Sequence, residues 1–509
     1  MRKLLFFIVV ISMIGIFFIH CNQGGPTSKG PYSFDSIRFD PLPPKELAPN
    51  ATPEQKVSFA WNEFLALNWR SSFYTDKKRD NPDLSWNYSS STQPYPDLLV
   101  WETYLHRSEL RPYSDQYVEF DNPPHYIFGA KPVPLPSTPN ARFDLFDNLD
   151  ENNEIGSCNL YGRVDVFDKS NQVLFQAKGN RDEYNYLLTY YPTKKRLLAA
   201  TTRTVNNITR DSTYFPGSSG LPCGCPILQT VVCLPCGGAT GGNNGQPING
   251  QPITGTMEVK TAWRRLAPDE DSSTFFTRNV IVYSKGPNNQ VYYTNAIYAL
   301  IGLHIIHKTQ NYPNFVFATW EHVDVEKQHM AYVELDTAAG NEGNEIGPLH
   351  KDYPRIHPIP AIADSSTAYV HRELAKKNPK SVWQYYRLVG VQTTPTNDST
   401  SFSYFMANYV IESDSILGNF HGSGIRTPFD GKANSLYQKH GYTMGGCQGC
   451  HGVAQTKFGG DQSFLMDTFG KPVDTPDVAR SGGKLARLLR ALDKINLQQQ
   501  LLLKDKSVH

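Results

Sequence analysis

The stretch Met444-Gly445-Gly446-Cys447-Gln448-Gly449-Cys450-His451 restricts what this chain can become more than any other. Two thiols two residues apart, followed directly by a histidine, match the attachment pattern of a c-type haem. Each thiol adds to a vinyl group on the same side of the porphyrin, and the adjoining imidazole is placed to ligate the iron from one face. A bare Cys-x-x-Cys also serves as a redox disulfide or as half of a zinc site. His451, directly adjoining, moves the reading to haem; the rival is a disulfide beside an idle histidine. The sequence predicts one covalent haem c on Cys447 and Cys450, with His451 as an iron ligand.

Such attachment takes place outside the bacterial cytoplasm, so the N-terminus has to carry an export signal. Arg2 and Lys3 precede a run from Leu4 to Ile19 broken only by Ser12 and Gly15, and Cys21 follows His20. A charged start and a short apolar core form a secretory signal over 1–20, shorter than the ~20 residues of a spanning helix. Phe18-Ile19-His20-Cys21 resembles a loose lipobox with Cys21 as the acylated residue; His20 departs from the small residue usual there. Plain secretion or an uncleaved anchor is the alternative. The expected location is the cell envelope, periplasm-facing or as an outer-membrane lipoprotein, with the lipid as the membrane contact.

With 509 residues, the chain can bury a sizeable core. Its 49 basic and 48 acidic residues are balanced and spread, which argues against a nucleic-acid partner. Of the eight cysteines, Cys158, Cys223, Cys225, Cys233 and Cys236 are not used by the lipid or haem readings. The two close pairs among them could bind zinc; in an oxidising compartment two disulfides are the blander expectation. Gly237 after Cys236 excludes a second haem motif.

The expected architecture is α+β: a large β-rich body with a mostly antiparallel sheet, and a small, mainly helical C-terminal segment bearing the haem. Residues 21–53 read as a Gly, Pro and Ser-rich tether, 54–395 as the body, 218–254 within it as a Gly and Cys-rich insertion, and 396–509 as the haem segment. A helix is expected from Thr52 or Pro53 through Trp69, its aromatics in the core rather than around a haem. Strands are expected at Val164–Phe167, Val173–Ala177, Tyr186–Tyr190, Leu197–Thr201, Met257–Leu266, Thr274–Ser284, Tyr292–Lys308, Phe315–Val325 and Trp383–Val391. Leu335–Ser381 reads as irregular and 480–504 as a helix.

The segments Ala60–Trp69, Val100–Tyr104, Gly302–Lys308, Thr319–Asp324, Cys447–Gly452 and Asp461–Leu465 together resemble a family of uncharacterised bacterial c-type cytochrome proteins, often exported or lipidated. The resemblance implies haem and leaves the reaction open. In that family an aliphatic residue often stands at the position of Met466, which weakens Met466 as a general ligand.

Fewer than sixty residues follow His451, too few for a complete small cytochrome, so the body must cover one haem face. The sixth ligand is then Met466, a histidine of the body such as His322 or His304, or an open position. On a strand His304 and His307 point to opposite faces, while His304 and His322 could face each other across a hairpin. Two protein ligands make an electron-transfer protein with an unknown redox partner. An open or displaceable position makes a peroxidase-like haem oxidoreductase or a haem-based sensing lipoprotein. A fourth class, outside haem chemistry, uses His304, His322 and Glu321 as a separate metal site. No catalytic residue is assigned.

Overall fold

The computed structural model describes residues 32–477 apart from 116, 153–157, 162–171, 211–231, 239–253, 267–268, 287, 328–330, 337–340, 347–354, 356, 395, 397, 413–424, 427–434, 438–439, 443–445 and 467–472. The export signal, Cys21, Cys223, Cys225, the strand expected at Val164–Phe167 and the helix expected over 480–504 lie outside the described residues.

Order begins earlier than composition suggests. Phe34, Ile37, Leu47 and Ala51 are buried in the largest apolar core, so the expected tether already lies on the body there. Helix α1 (Pro53–Leu67) starts as its sequence dictates. Thr52 and Gln55 exchange side-chain and backbone hydrogen bonds in a capping box, with Pro53 in the first turn. Trp61 and Phe64 pack edge-on and tilted against Trp320, and Phe64 meets Trp383. These aromatics are core.

The body is built on a mixed sheet of nine strands among the described residues. Its centre is β1 (Leu174–Gly179), β2 (Met257–Arg264), β3 (Thr277–Lys285), β4 (Val291–His307), β5 (Val316–His322) and β6 (Tyr386–Gln392). β4 pairs with β2 along one edge; along the other it pairs first with β3 and then with β5, and β6 closes against β5, all antiparallel. Two short strands, Val133–Pro134 and Asn148–Leu149, add parallel pairings. Side chains alternate along β4 and β5: Leu303, Ile305, Val316, Ala318 and Trp320 join α1 in the main core, while Ile306 and Phe317 turn to a second core on the opposite face.

Three expectations need correcting. Tyr186–Tyr190 and Leu197–Thr201 are helical, within α2 (Arg181–Tyr190) and α3 (Lys194–Arg210). Their apolar residues suit a strand by composition, but Asn180 caps α2 by accepting the Glu183 N–H, and the buried Leu197, Ala200, Thr201 and Thr204 recur at helical spacing. The stretch expected as irregular contains α4 (Ala361–Lys377), which begins directly after Pro360 and buries Ile362, Ser366, Val370 and Leu374. No helix among the described residues is long and apolar enough to cross a membrane.

Candidate functional site

On the sheet face away from α1, two rows of side chains floor a cavity of about 430 Å³. Strand register sets the rows: Lys260, His304 and Thr319 lie side by side, and beside them Glu258, Ile306 and Phe317. Other walls come from Met406, Ile411 and Glu412, and from Cys447, Cys450, His451, Phe464 and Leu465. The volume falls in the range of roughly 300–1,000 Å³ usual for small-molecule and cofactor sites.

The Cys-x-x-Cys-His stretch is helix α5 (Gly446–Val453), and it is bolted to the sheet. Gly446 has φ 58°, and a side chain there would collide with the Gln392 amide. That amide oxygen accepts the Gln448 N–H at 2.8 Å. The buried Gln448 side chain donates to the carbonyls of Asn314, Phe315 and Thr393 at 3.2, 3.1 and 2.9 Å. With Gln448 turned inward, Cys447 and Cys450 reach the cavity wall as free thiols.

His451 is fixed on three sides. Its Nδ1 donates to the Gln462 carbonyl at 2.7 Å, and Phe317 and Phe464 meet the ring edge-on at 4.7 and 4.9 Å. Because a carbonyl only accepts, the proton sits on Nδ1 and the Nε2 lone pair remains for another partner. Burial pushes the imidazole down to about 4, so it is neutral near neutral pH. The Gln462 carbonyl is aimed by a turn in which Gly459, Asp461 and Gln462 all have positive φ, at 71°, 53° and 66°. Non-glycine residues in that region carry strain that needs outside support. Support comes from Asp461, whose carboxylate pairs with buried Lys308 and accepts the Leu234 N–H at 2.7 Å.

The thiols are poor candidates for redox exchange. Burial pushes Cys450 up to about 12 and Cys447 well above its ordinary value, whereas exchange and zinc ligation use the thiolate. Among the described residues, no group of three or more His, Cys, Asp or Glu side chains is placed to hold a bare metal ion. A pair of neutral thiols and a neutral imidazole with one nitrogen held by a carbonyl, all lining one largely apolar cavity, are a donor set that fits a thioether-bound haem.

The other expected ligands separate. His304 lines the cavity. His322 lies outside it: its Nε2 is 3.1 Å from the Thr274 carbonyl, its Nδ1 accepts the Asp324 N–H, and its ring stacks on Phe275 at 3.8 Å. His304 is opposite Thr319 in the register, so the two histidines do not face each other. Met466 is buried in the second apolar core and is not among the cavity-lining residues. Glu321 is held by Arg387 at 2.7 Å, by Arg355 and by the Tyr409 N–H. His307 bonds Glu63 and the Thr254 carbonyl, both at 2.6 Å, on the α1 side. Cys233 and Cys236 are both disulfide-bonded, and Val232–Cys236 is buried within the stretch expected as an insertion.

Sequence reasoning gave no role to Gln448, the Gln462 carbonyl, Lys308 or Asp461, although all four lie in segments that carry the resemblance. The only local signal was Gly459-Gly460 ahead of Asp461, a turn composition with an acid beside it. Comparison with known proteins returned no match to the chain, whether to a family model, a curated protein or a solved structure.

Proposed function

We propose that this chain is a c-type cytochrome that carries electrons at the bacterial cell envelope, its haem joined to Cys447 and Cys450. The observation that carries the reading is the His451 Nδ1 to Gln462 carbonyl bond. Metal-bound histidines nearly always donate the other ring N–H in this way, which fixes tautomer and orientation and leaves the ligating nitrogen basic. The haem, when bound, supplies an iron that gains and loses one electron. Everything else is the work of the chain. α5 presents two neutral thiols on one wall. Gln448 holds that helix against the sheet. Phe317, Ile306, Phe464 and Leu465 supply apolar surface for a flat macrocycle and exclude water from it. In this reading the mostly antiparallel body covers one haem face and the C-terminal segment carries the attachment site. Cys21 becomes the lipid anchor, which is consistent with disulfide-bonded Cys233 and Cys236 in an oxidising compartment.

The test is haem content after production with a c-type maturation system. Haem that survives acidic acetone extraction and is lost in Cys447→Ala and Cys450→Ala is the expected result. Protein that matures without haem, or releases it to acidic acetone, overturns the reading.

A further inference from the structure

We propose that His304 is the second axial ligand of the haem iron, paired with His451 across the cavity. This inference rests on the haem reading above. His304 is the only histidine besides His451 among the described cavity-lining residues. Its Nε2 is buried and makes no hydrogen bond among the described residues. A buried ring nitrogen left without a partner is destabilising, and a ligand in the cavity removes that penalty. The Glu412 carboxylate stands 3.5 Å from this nitrogen. It is itself positioned by the Asn408 N–H at 2.7 Å, and Asn408 is anchored to β5 through the Thr319 hydroxyl and the Trp320 carbonyl, both at 2.8 Å. Glu412 thus adjoins the very nitrogen that would take the iron, and its loose contact there is one that the metal would replace.

Placement on the sheet agrees. Phe317, which touches His451, lies in the row next to His304, and neighbouring rows are ~7 Å apart along a strand. The rivals are differently disposed. Met466 and His322 are off the cavity. Met406 lines it, but its sulfur lies over Gly390, where even a methyl group would come within 2.5 Å of it.

The experiment uses the matured haem protein. Near-infrared magnetic circular dichroism of the oxidised, unsubstituted protein should give the charge-transfer energy of two imidazole ligands. His304→Ala should become high-spin and return to low-spin when imidazole is added. His304→Met should raise the reduction potential, since thioether ligation favours the reduced iron. Met406→Leu should keep the two-imidazole charge-transfer signature, since its sulfur is not the ligand. Haem content is measured separately on denatured protein, so loss of attachment, which would sink the cytochrome reading, is distinguished from a change of ligand. A histidine–methionine or high-spin signature in the unsubstituted protein overturns the assignment, as does an unaltered low-spin spectrum in His304→Ala. The first measurement needs no substitution, so it decides the matter even where a variant fails to fold.

Discussion

The ammonium of Lys308 and the carboxylate of Asp461 form an ion pair with almost no exposure, at 0% and 1%. Lys308 follows β4 directly, and Asp461 stands one residue before the carbonyl that holds His451. The pair therefore ties the sheet to the turn that orients the candidate ligand. Burial pushes Asp461 up to about 6 and Lys308 down, so each charge is penalised even beside its partner. Such a pair specifies geometry more than it stabilises.

Removing one partner should accordingly be worse than removing both. Asp461→Asn leaves a buried ammonium and is expected to cost about 3–5 kcal/mol. Lys308→Met combined with Asp461→Leu should recover much of that stability in urea unfolding. The double variant should still show an altered haem spectrum, because the Leu234 N–H loses its acceptor and the turn its anchor. A double variant no more stable than Asp461→Asn would contradict this.

Gln448 occupies one of the two positions that the Cys-x-x-Cys pattern leaves unspecified. Its amide spans three carbonyls of the sheet side. Gln448→Leu strands those carbonyls in a buried place, at about 1–3 kcal/mol. The expected outcome is a lower unfolding midpoint and reduced haem incorporation with both cysteines intact. Unchanged incorporation and stability would show that α5 is held by other contacts.

The central strands were legible because Met257–Arg264, Thr277–Lys285, Val291–His307 and Val316–His322 are apolar runs bounded by turn residues. α1 was legible from Thr52 and Pro53, whose capping role is local. Tyr186 and Leu197 misled because aromatic and aliphatic content alone does not separate a short helix from a strand. The site divides in the same way. Cys447, Cys450 and His451 are encoded by spacing. What places them is not: Gln448 meets carbonyls 55 or more residues away in sequence, and Lys308 meets Asp461 across 153. Glu321 looked available beside His322, but two arginines from distant segments neutralise it. Nothing local announces a partner that only the fold supplies.

Glu258 sits on the cavity floor beside Ile306, and burial pushes its carboxyl up to about 8. An unfolded glutamate has lost its proton by about pH 5. Between there and about pH 8 the folded state binds the extra proton, so stability must fall as pH rises. The urea midpoint should be higher at pH 6 than at pH 8. Glu258→Gln, which mimics the neutral acid, should flatten that slope. An equal slope in the variant would move the effect to other buried carboxyls raised into this range, among them Asp80, Glu102 and Asp461.

Gln462 acts through its backbone. With φ 66° it occupies the left-handed region, which costs an ordinary residue about 1–2 kcal/mol and a β-branched one more. Gln462→Gly removes the cost and keeps the carbonyl; it should leave the spectrum unchanged and stability equal or higher. Gln462→Val pushes the backbone out of that region and turns the carbonyl away from His451 Nδ1. The ring then loses the bond that fixes its tautomer, so the haem spectrum should shift, the potential should rise as the ligand loses basicity, and stability should drop by about 2 kcal/mol or more. The comparison separates carbonyl placement from side-chain chemistry, because both variants delete the same amide. If valine and glycine give the same spectrum, the Gln462 carbonyl does not orient His451 in the matured protein.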